Sequence, residues 1–255
     1  MFGRPKQEND WVVLSRDTYG LINNGQYVEA ESMALRALAA AQKGFSSNHQ
    51  ERAKALDLLS NTYRHQGKFE EAEPLSERAF AIAQKAFPSG HQDMATLAQH
   101  LASVYSKLGK HDKAVTLGRL AIDIYEKSVG TDNPGHASAL SYLALIYVRE
   151  GEFSKAEPLY HQALDMLREQ YDSDHRFVAE VMLNLGQLHS KRGEYDDAKH
   201  FFKDGLEIEE KVLGSSHPQT IATIEGLVEI LQKDNQTVEA EAYALRLNQI
   251  KNKIQ

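Results

Sequence analysis

The chain of 255 residues has no cysteine. Disulfides, thiolate zinc sites and cysteine nucleophiles are therefore excluded. No segment approaches the ~18 consecutive apolar residues that a membrane-spanning helix needs. Positive charge is not in excess: 29 Lys and Arg stand against 36 Asp and Glu, a formal net charge of −7. A general nucleic-acid binder, which usually carries a basic domain or face, is argued against. Residues 1–10 are polar and lack the apolar core of an export signal. They read as a flexible N-terminal segment of a cytoplasmic chain. The rest, 42% hydrophobic and 25% charged, is ordinary globular material.

What is present is a repeat. Gly25, Gly67, Gly109, Gly151 and Gly193 lie 42 residues apart without a slip. Ala30, Ala72, Ala114, Ala156, Ala198 and Ala240 keep the same step, as do Ala37, Ala79, Ala121 and Ala163, with Gly205 next in line. Tyr63, Tyr105 and Tyr147 share a column with Leu21, His189 and Leu231. A fixed period of this length is the signature of a repeat architecture. With Trp11 as position 1, the units are 11–52, 53–94, 95–136, 137–178, 179–220 and a shortened 221–255, which acts as a cap. Together they make a single solenoid over 11–255.

Each unit predicts two helices. Leu56, Leu59, Ser60 and Tyr63 follow a helical stripe and not a strand alternation. The glycine column ends the first helix in a left-handed conformation. An aromatic follows two residues later at Tyr27, Phe69, Phe153 and Tyr195, with His111 the exception. A second helix from about position 18 to 35 places small alanines against the first. Pro134 and Pro218, both at position 40, mark the start of a new first helix. Pro74 and Pro158, both at position 22, are expected near the first turn of the second helix, since proline deep inside one costs ~3 kcal/mol. Helix pairs of this size bury their stripes only by stacking. The end units differ accordingly: Asp17 stands where later units have Leu59, Leu101, Leu143, Leu185 and Leu227, and Asn235 replaces the glycine.

The pattern Leu59, Ser60, Tyr63, Gly67, Ala72 and Ala79 resembles the tetratricopeptide repeat consensus. The long period, the segment from Gly67 to Leu75 and the segment from Gly214 to Pro218 are similar to the repeats of kinesin light chains and their bacterial relatives. The resemblance covers residues 11 to about 247. It implies an all-α fold, a right-handed α-solenoid of about six antiparallel helix pairs, with first helices lining a concave groove that binds peptide segments. It implies no catalysis. Kinesin light chains carry paired asparagines before the central leucine. Here the pairs read Asp57-Leu58, Gln99-His100, Ser141-Tyr142 and Leu183-Asn184, and only Asn184 remains.

Positions 2, 5, 6, 9, 12 and 13 of such units tend to face the groove. Position 13 reads Asn23, His65, Lys107, Arg149, Lys191 and Lys233. It is either a basic rail for an acidic peptide or a set of cations complementing helix C-termini. Tyr142, Leu145, Val148, Leu183 and Leu58 are apolar at groove positions. They read either as a contact patch for a ligand or as packing across a tight superhelix. Asn61, Arg64, His100, Ser103, Asn184 and Gln187 are placed to hydrogen-bond a peptide backbone. The expected binding groove is thus Asn61, Arg64, His100, Ser103, Lys107, Tyr142, Leu145, Arg149, Asn184, Gln187 and Lys191.

The column His49, His91, Asn133, His175 and His217 invites a metal hypothesis. Successive repeats stand about 10 Å apart, too far for shared zinc ligation at ~2.0–2.1 Å, so these residues are expected to cap or brace the loops. Gly130 to His136 has a superficial likeness to a phosphate loop, but His136 stands where lysine is needed. No metal site, cofactor or nucleophile motif is expected. The leading expectation is a non-enzymatic adaptor that binds an extended, partly acidic segment of another protein. A self-associating scaffold and a peptide-responsive sensor are the alternatives. Neither nucleic acid nor membrane insertion is expected.

Overall fold

The computed structural model describes residues 10–88, 90–128 and 134–254. Asp10 belongs to the first helix; the other residues of the expected flexible segment lie outside the described residues. So do Asn133 of the histidine column and residues 130–133 of the phosphate-loop likeness. All regular structure among the described residues is helical. The helices are α1 (Asp10–Asn23), α2 (Tyr27–Gly44), α3 (Gln50–His65), α4 (Phe69–Ala86), α5 (Gln92–Lys107) and α6 (His111–Ser128). They continue as α7 (Pro134–Arg149), α8 (Phe153–Gln170), α9 (Arg176–Arg192), α10 (Tyr195–Val212), α11 (Pro218–Lys233) and α12 (Thr237–Ile254).

Each helix pair is joined by the same turn. Gly25, Gly67, Gly109, Gly151 and Gly193 have φ between 71° and 79°, and Asn235 takes the same conformation at φ 57°. Asparagine is one of the few side chains that tolerates this region. The next N–H then reaches back to the helix: Gln26 to Leu21, Lys68 to Tyr63, Lys110 to Tyr105, Glu152 to Tyr147, Glu194 to His189 and Gln236 to Leu231, at 2.8–2.9 Å. This bond closes a Schellman motif and satisfies carbonyls that the helix end would leave open. The turn is so short that the second helix starts at position 17 and runs to position 34.

Pro74 and Pro158 consequently lie one residue deeper than expected, as the sixth residues of α4 and α8. The carbonyls they leave unbonded belong to Glu70 and Ser154, both exposed, so water can take the place of the missing N–H. Pro134 and Pro218 open α7 and α11 as the sequence indicates.

The second turn, between repeats, is held by the histidine column. The Nδ1 atoms of His49, His91, His175 and His217 accept the N–H of the residue two further on, at 3.2–3.3 Å. Three of these rings also stack on the aromatic that ends the preceding helix: Phe45, Phe87 and Tyr171, with centroids 4.0–4.6 Å apart. The histidines are therefore N-caps, a role worth about 1 kcal/mol each.

The chain divides into two compact units, Met1–Gly130 and Thr131–Gln255. Each contains three helix pairs, and every helix packs on its neighbour in sequence within its unit. The alanine columns make this possible: Ala30, Ala72, Ala114, Ala156 and Ala198 are all fully buried. Leu59, Leu101, Leu143, Leu185 and Leu227 are buried between layers, while Asp17 in the same column meets solvent. In unit 1, α1 touches α3 and α3 touches α5; in unit 2, α7 touches α9. No comparable contact joins consecutive second helices among the described residues. First helices thus form the inner, concave face of each unit. This is the helix-pair packing of an α-solenoid.

Candidate functional site

In unit 1 the concave side chains are tied to one another. Arg64 donates to Asn61 Oδ1 at 3.3 Å and to Ser103 Oγ at 3.4 Å. His100 Nδ1 lies 2.9 Å from both carboxylate oxygens of Asp57. Lys107 stands 5.6 Å over the ring of Phe69, one repeat earlier. His65 stacks on Tyr27 in the equivalent place, 5.6 Å between centroids. At position 13, His65 and Lys107 therefore each cover the aromatic beside the preceding turn. Above them, Trp11, Tyr19, Lys54, Asp57 and Thr96 surround a hollow of ≈ 280 Å³. There, burial and the nearby Asp57 push the Tyr19 hydroxyl up to about 12.

Unit 2 is open where unit 1 is tied. Between α7 and α9 runs a cleft of ≈ 350 Å³, floored by Leu167 of α8. Residues at helical spacing build its walls: Ser138, Ser141, Tyr142 and Leu145 on one side, Phe177, Glu180, Val181 and Asn184 on the other. A second cleft of ≈ 480 Å³ lies between α9 and α11, floored by Phe202 of α10. It carries Gln187, Ser190 and Lys191 from α9, with Thr223, Glu229 and Lys233 from α11. Glu180 and Asn184, one turn apart on α9, line both clefts, so the two adjoin across that helix.

Of the expected groove residues, Tyr142, Leu145, Asn184, Gln187 and Lys191 come together here. Lys191 is exposed and makes no ion pair among the described residues, whereas Lys233 is held by Glu229 at 2.7 Å. Arg149 is half-buried near Tyr142 and Tyr160, and burial pulls its guanidinium below the usual range.

Other assignments are corrected. Leu58 is 1% exposed and Val148 4%, so both belong to the core. Leu58 packs with Ile22 and Leu59, because α1 lies close against α3 at this level. Leu183 is half-buried: it rests on Gly205, where an added Cβ would stand 2.9 Å from its Cγ. Packing across the fold wins over ligand contact at Leu58 and Val148, whereas Leu183 also lines the second cleft. Glu180, Phe177 and Val181 are groove residues that sequence reasoning missed. Glu180 occupies position 2, but nothing periodic in that column distinguishes it.

His189, Glu194 and Asp197 offer ligand atoms within 4.8 Å of one another. Arg192 already lies there, 2.9 Å from Glu194 and 2.6 Å from Glu157. The guanidinium is the cluster's own counter-ion.

Glu209 lies beneath the groove at 2% exposure. Burial pushes its carboxyl above the ordinary range, with Thr223, Gln219 and His217 drawing it partly back. The folded chain therefore keeps this proton to higher pH than the unfolded chain. Folding stability must then fall as pH rises from about 4.3, the ordinary glutamate value, through the raised folded value. Glu209→Gln is expected to flatten this dependence and to raise stability at neutral pH, as read from urea midpoints across that range.

The tetratricopeptide repeat model matches residues 19–85, 92–169, 136–211 and 178–247. None of the curated proteins matches the sequence. Among solved structures, BtubC (BKLC) from P. vanneervenii is 22% identical with a TM-score of 0.68, covering 94% of this chain and 92% of its own. A Podosopora anserina chain of nearly identical, kinesin-light-chain TPR-like repeats is 22% identical with a TM-score of 0.63, covering 82% and 99%. A Rap protein complexed with competence and sporulation factor is 15% identical with a TM-score of 0.70, covering 97% and 77%. At these identities the likeness is one of fold.

Proposed function

The chain belongs to the tetratricopeptide repeat family, whose members are typically non-catalytic interaction modules, and from that premise we propose that it is an adaptor binding an extended segment of a partner protein. The observation that carries this is the pair of adjoining clefts in unit 2, read here as one groove. From Phe177 to Lys191 it follows α9 for about 21 Å at ~1.5 Å per residue. That length accepts roughly six residues of extended chain at ~3.3 Å each. Tyr142, Leu145, Phe177 and Val181 supply burial at one end. Asn184, Gln187 and Ser190 offer hydrogen bonds to a peptide backbone, which fix register without demanding one sequence. Lys191 at the other end, which makes no ion pair among the described residues, favours an acidic side chain or a terminal carboxylate. Arg149 adds positive charge to the same unit. In unit 1, Asn61, Arg64, Ser103 and Lys107 form a more rigid polar surface for the same kind of ligand, while His100 is held by Asp57. The fold neighbour solved with a bound factor, the Rap protein, supports this use of the architecture.

No described helix is long and apolar enough to cross a membrane, which suits a groove that meets its partner in water. The test is binding of short peptides selected on the chain from a random displayed library. Lys191→Glu is expected to weaken the selected peptides about three- to fivefold at low salt, with the difference fading near molar salt, as for an exposed charge pair. Unchanged affinity at low salt would remove Lys191 from the mechanism.

A further inference from the structure

The acidic side chain between the two clefts has no counter-ion among the described residues. Glu180 is exposed, lines both clefts, and makes no ion pair or hydrogen bond with any described residue. Arg176, one turn earlier on α9, attracts it but does not reach it. That guanidinium lies 5.3 Å over the ring of Phe177 instead. Beneath, the buried Glu209 adds negative charge of the same sign. Partial desolvation by the surrounding protein pushes the Glu180 carboxyl above its ordinary range. Around it the wall is apolar, and across the cleft the buried Ser141 hydroxyl has no partner among the described residues. A cation entering here is attracted to the Glu180 charge. A ligand carboxylate at this point would be repelled.

We propose that the cleft between α7 and α9 takes a positively charged nitrogen of the partner segment, a Lys or Arg side chain or a free N-terminal amine, with Glu180 as its counter-ion. Tyr142, Leu145 and Phe177 then cover the methylene stem of that residue or an apolar neighbour, as long cationic side chains lay their stems on apolar surface. Ser141 accepts a second hydrogen bond from the same nitrogen. Lys191 stands eleven residues further along α9, about 16 Å away at ~1.5 Å per residue. The groove is therefore polar along its length: a basic group enters beside Glu180, and an acidic group, roughly five extended residues on, enters beside Lys191. This inference rests on the groove-binding reading above and specifies the chemistry that it selects.

The experiment selects short random peptides from a displayed library on the wild-type chain and on Glu180→Gln. Circular dichroism first verifies equal helicity. Wild-type binders are expected to be enriched in Lys or Arg beside an apolar residue, or to require a free N-terminus. Synthetic versions acetylated at the N-terminus alone separate these two sources, since only the N-terminal mode then loses affinity. Glu180→Gln is expected to bind the wild-type peptides about tenfold more weakly, the scale of a lost charge-assisted hydrogen bond, and to bind their norleucine-for-lysine analogues as well as wild type does. Groove-bound peptides with Asp or Glu at this site, or equal affinity for both proteins, would overturn the assignment of Glu180 and leave the groove reading intact. Failure to recover any binder from either protein would overturn the groove reading, and the assignment with it.

Discussion

Replacing Phe202 with alanine is expected to destabilise unit 2 by about 3–5 kcal/mol, the upper range for a buried aromatic. The ring is 5% exposed and fills the space left by two glycines on the helices above it. A Cβ added to Gly186 would stand 2.5 Å from its Cδ2, and one added to Gly226 would stand 2.7 Å from its Cε1. Neither glycine has a side chain that can relax into the hole, so the cavity persists. Because Phe202 also floors the second cleft, its loss opens the groove from below. Urea unfolding monitored by circular dichroism measures the effect. A loss below about 1 kcal/mol would mean that α9 and α11 collapse onto the vacated site, contrary to close packing here.

The second large effect concerns His100. Its ring nitrogen meets both oxygens of Asp57, whose side chain is only 9% exposed. Removing the histidine leaves a nearly buried carboxylate without its partner. His100→Ala is expected to cost about 1.5–3 kcal/mol, the scale of a hydrogen bond to a charged group. Adding Asp57→Asn should restore most of that loss, because the orphaned charge is gone. A double-mutant cycle in urea gives the coupling directly. Additive single effects would mean that the two residues are independent and that His100 is available to a ligand.

These cases show how far the sequence was legible. The repeat was readable because its residues obey backbone and packing rules that recur in every unit. Glycine or asparagine must take the left-handed turn, alanine must fill the helix-pair seam, and histidine must cap the next helix. The proline depth was misjudged because the Schellman turn is one residue tighter than a generic loop. The groove was less readable. Its positions were known, yet facing the groove does not decide whether a side chain is free. That depends on the neighbouring repeat, as Asp57 for His100, Phe69 for Lys107, and α1 for Leu58 show. The same pairing rule hid Glu180, which is distinguished only by the partner it lacks. An unpartnered group is visible only once the helices are placed around it.

The central claim is that a partner segment lies in the groove of unit 2. It is tested most directly by photo-crosslinking. A photoreactive phenylalanine analogue at Tyr142, within the groove, is compared with one at His161, exposed on the outer helix α8. Each is irradiated with a peptide selected on the wild-type chain. The account predicts a peptide adduct from position 142 and none from position 161. An adduct from position 161 alone would contradict it and move the binding surface to the outer helices.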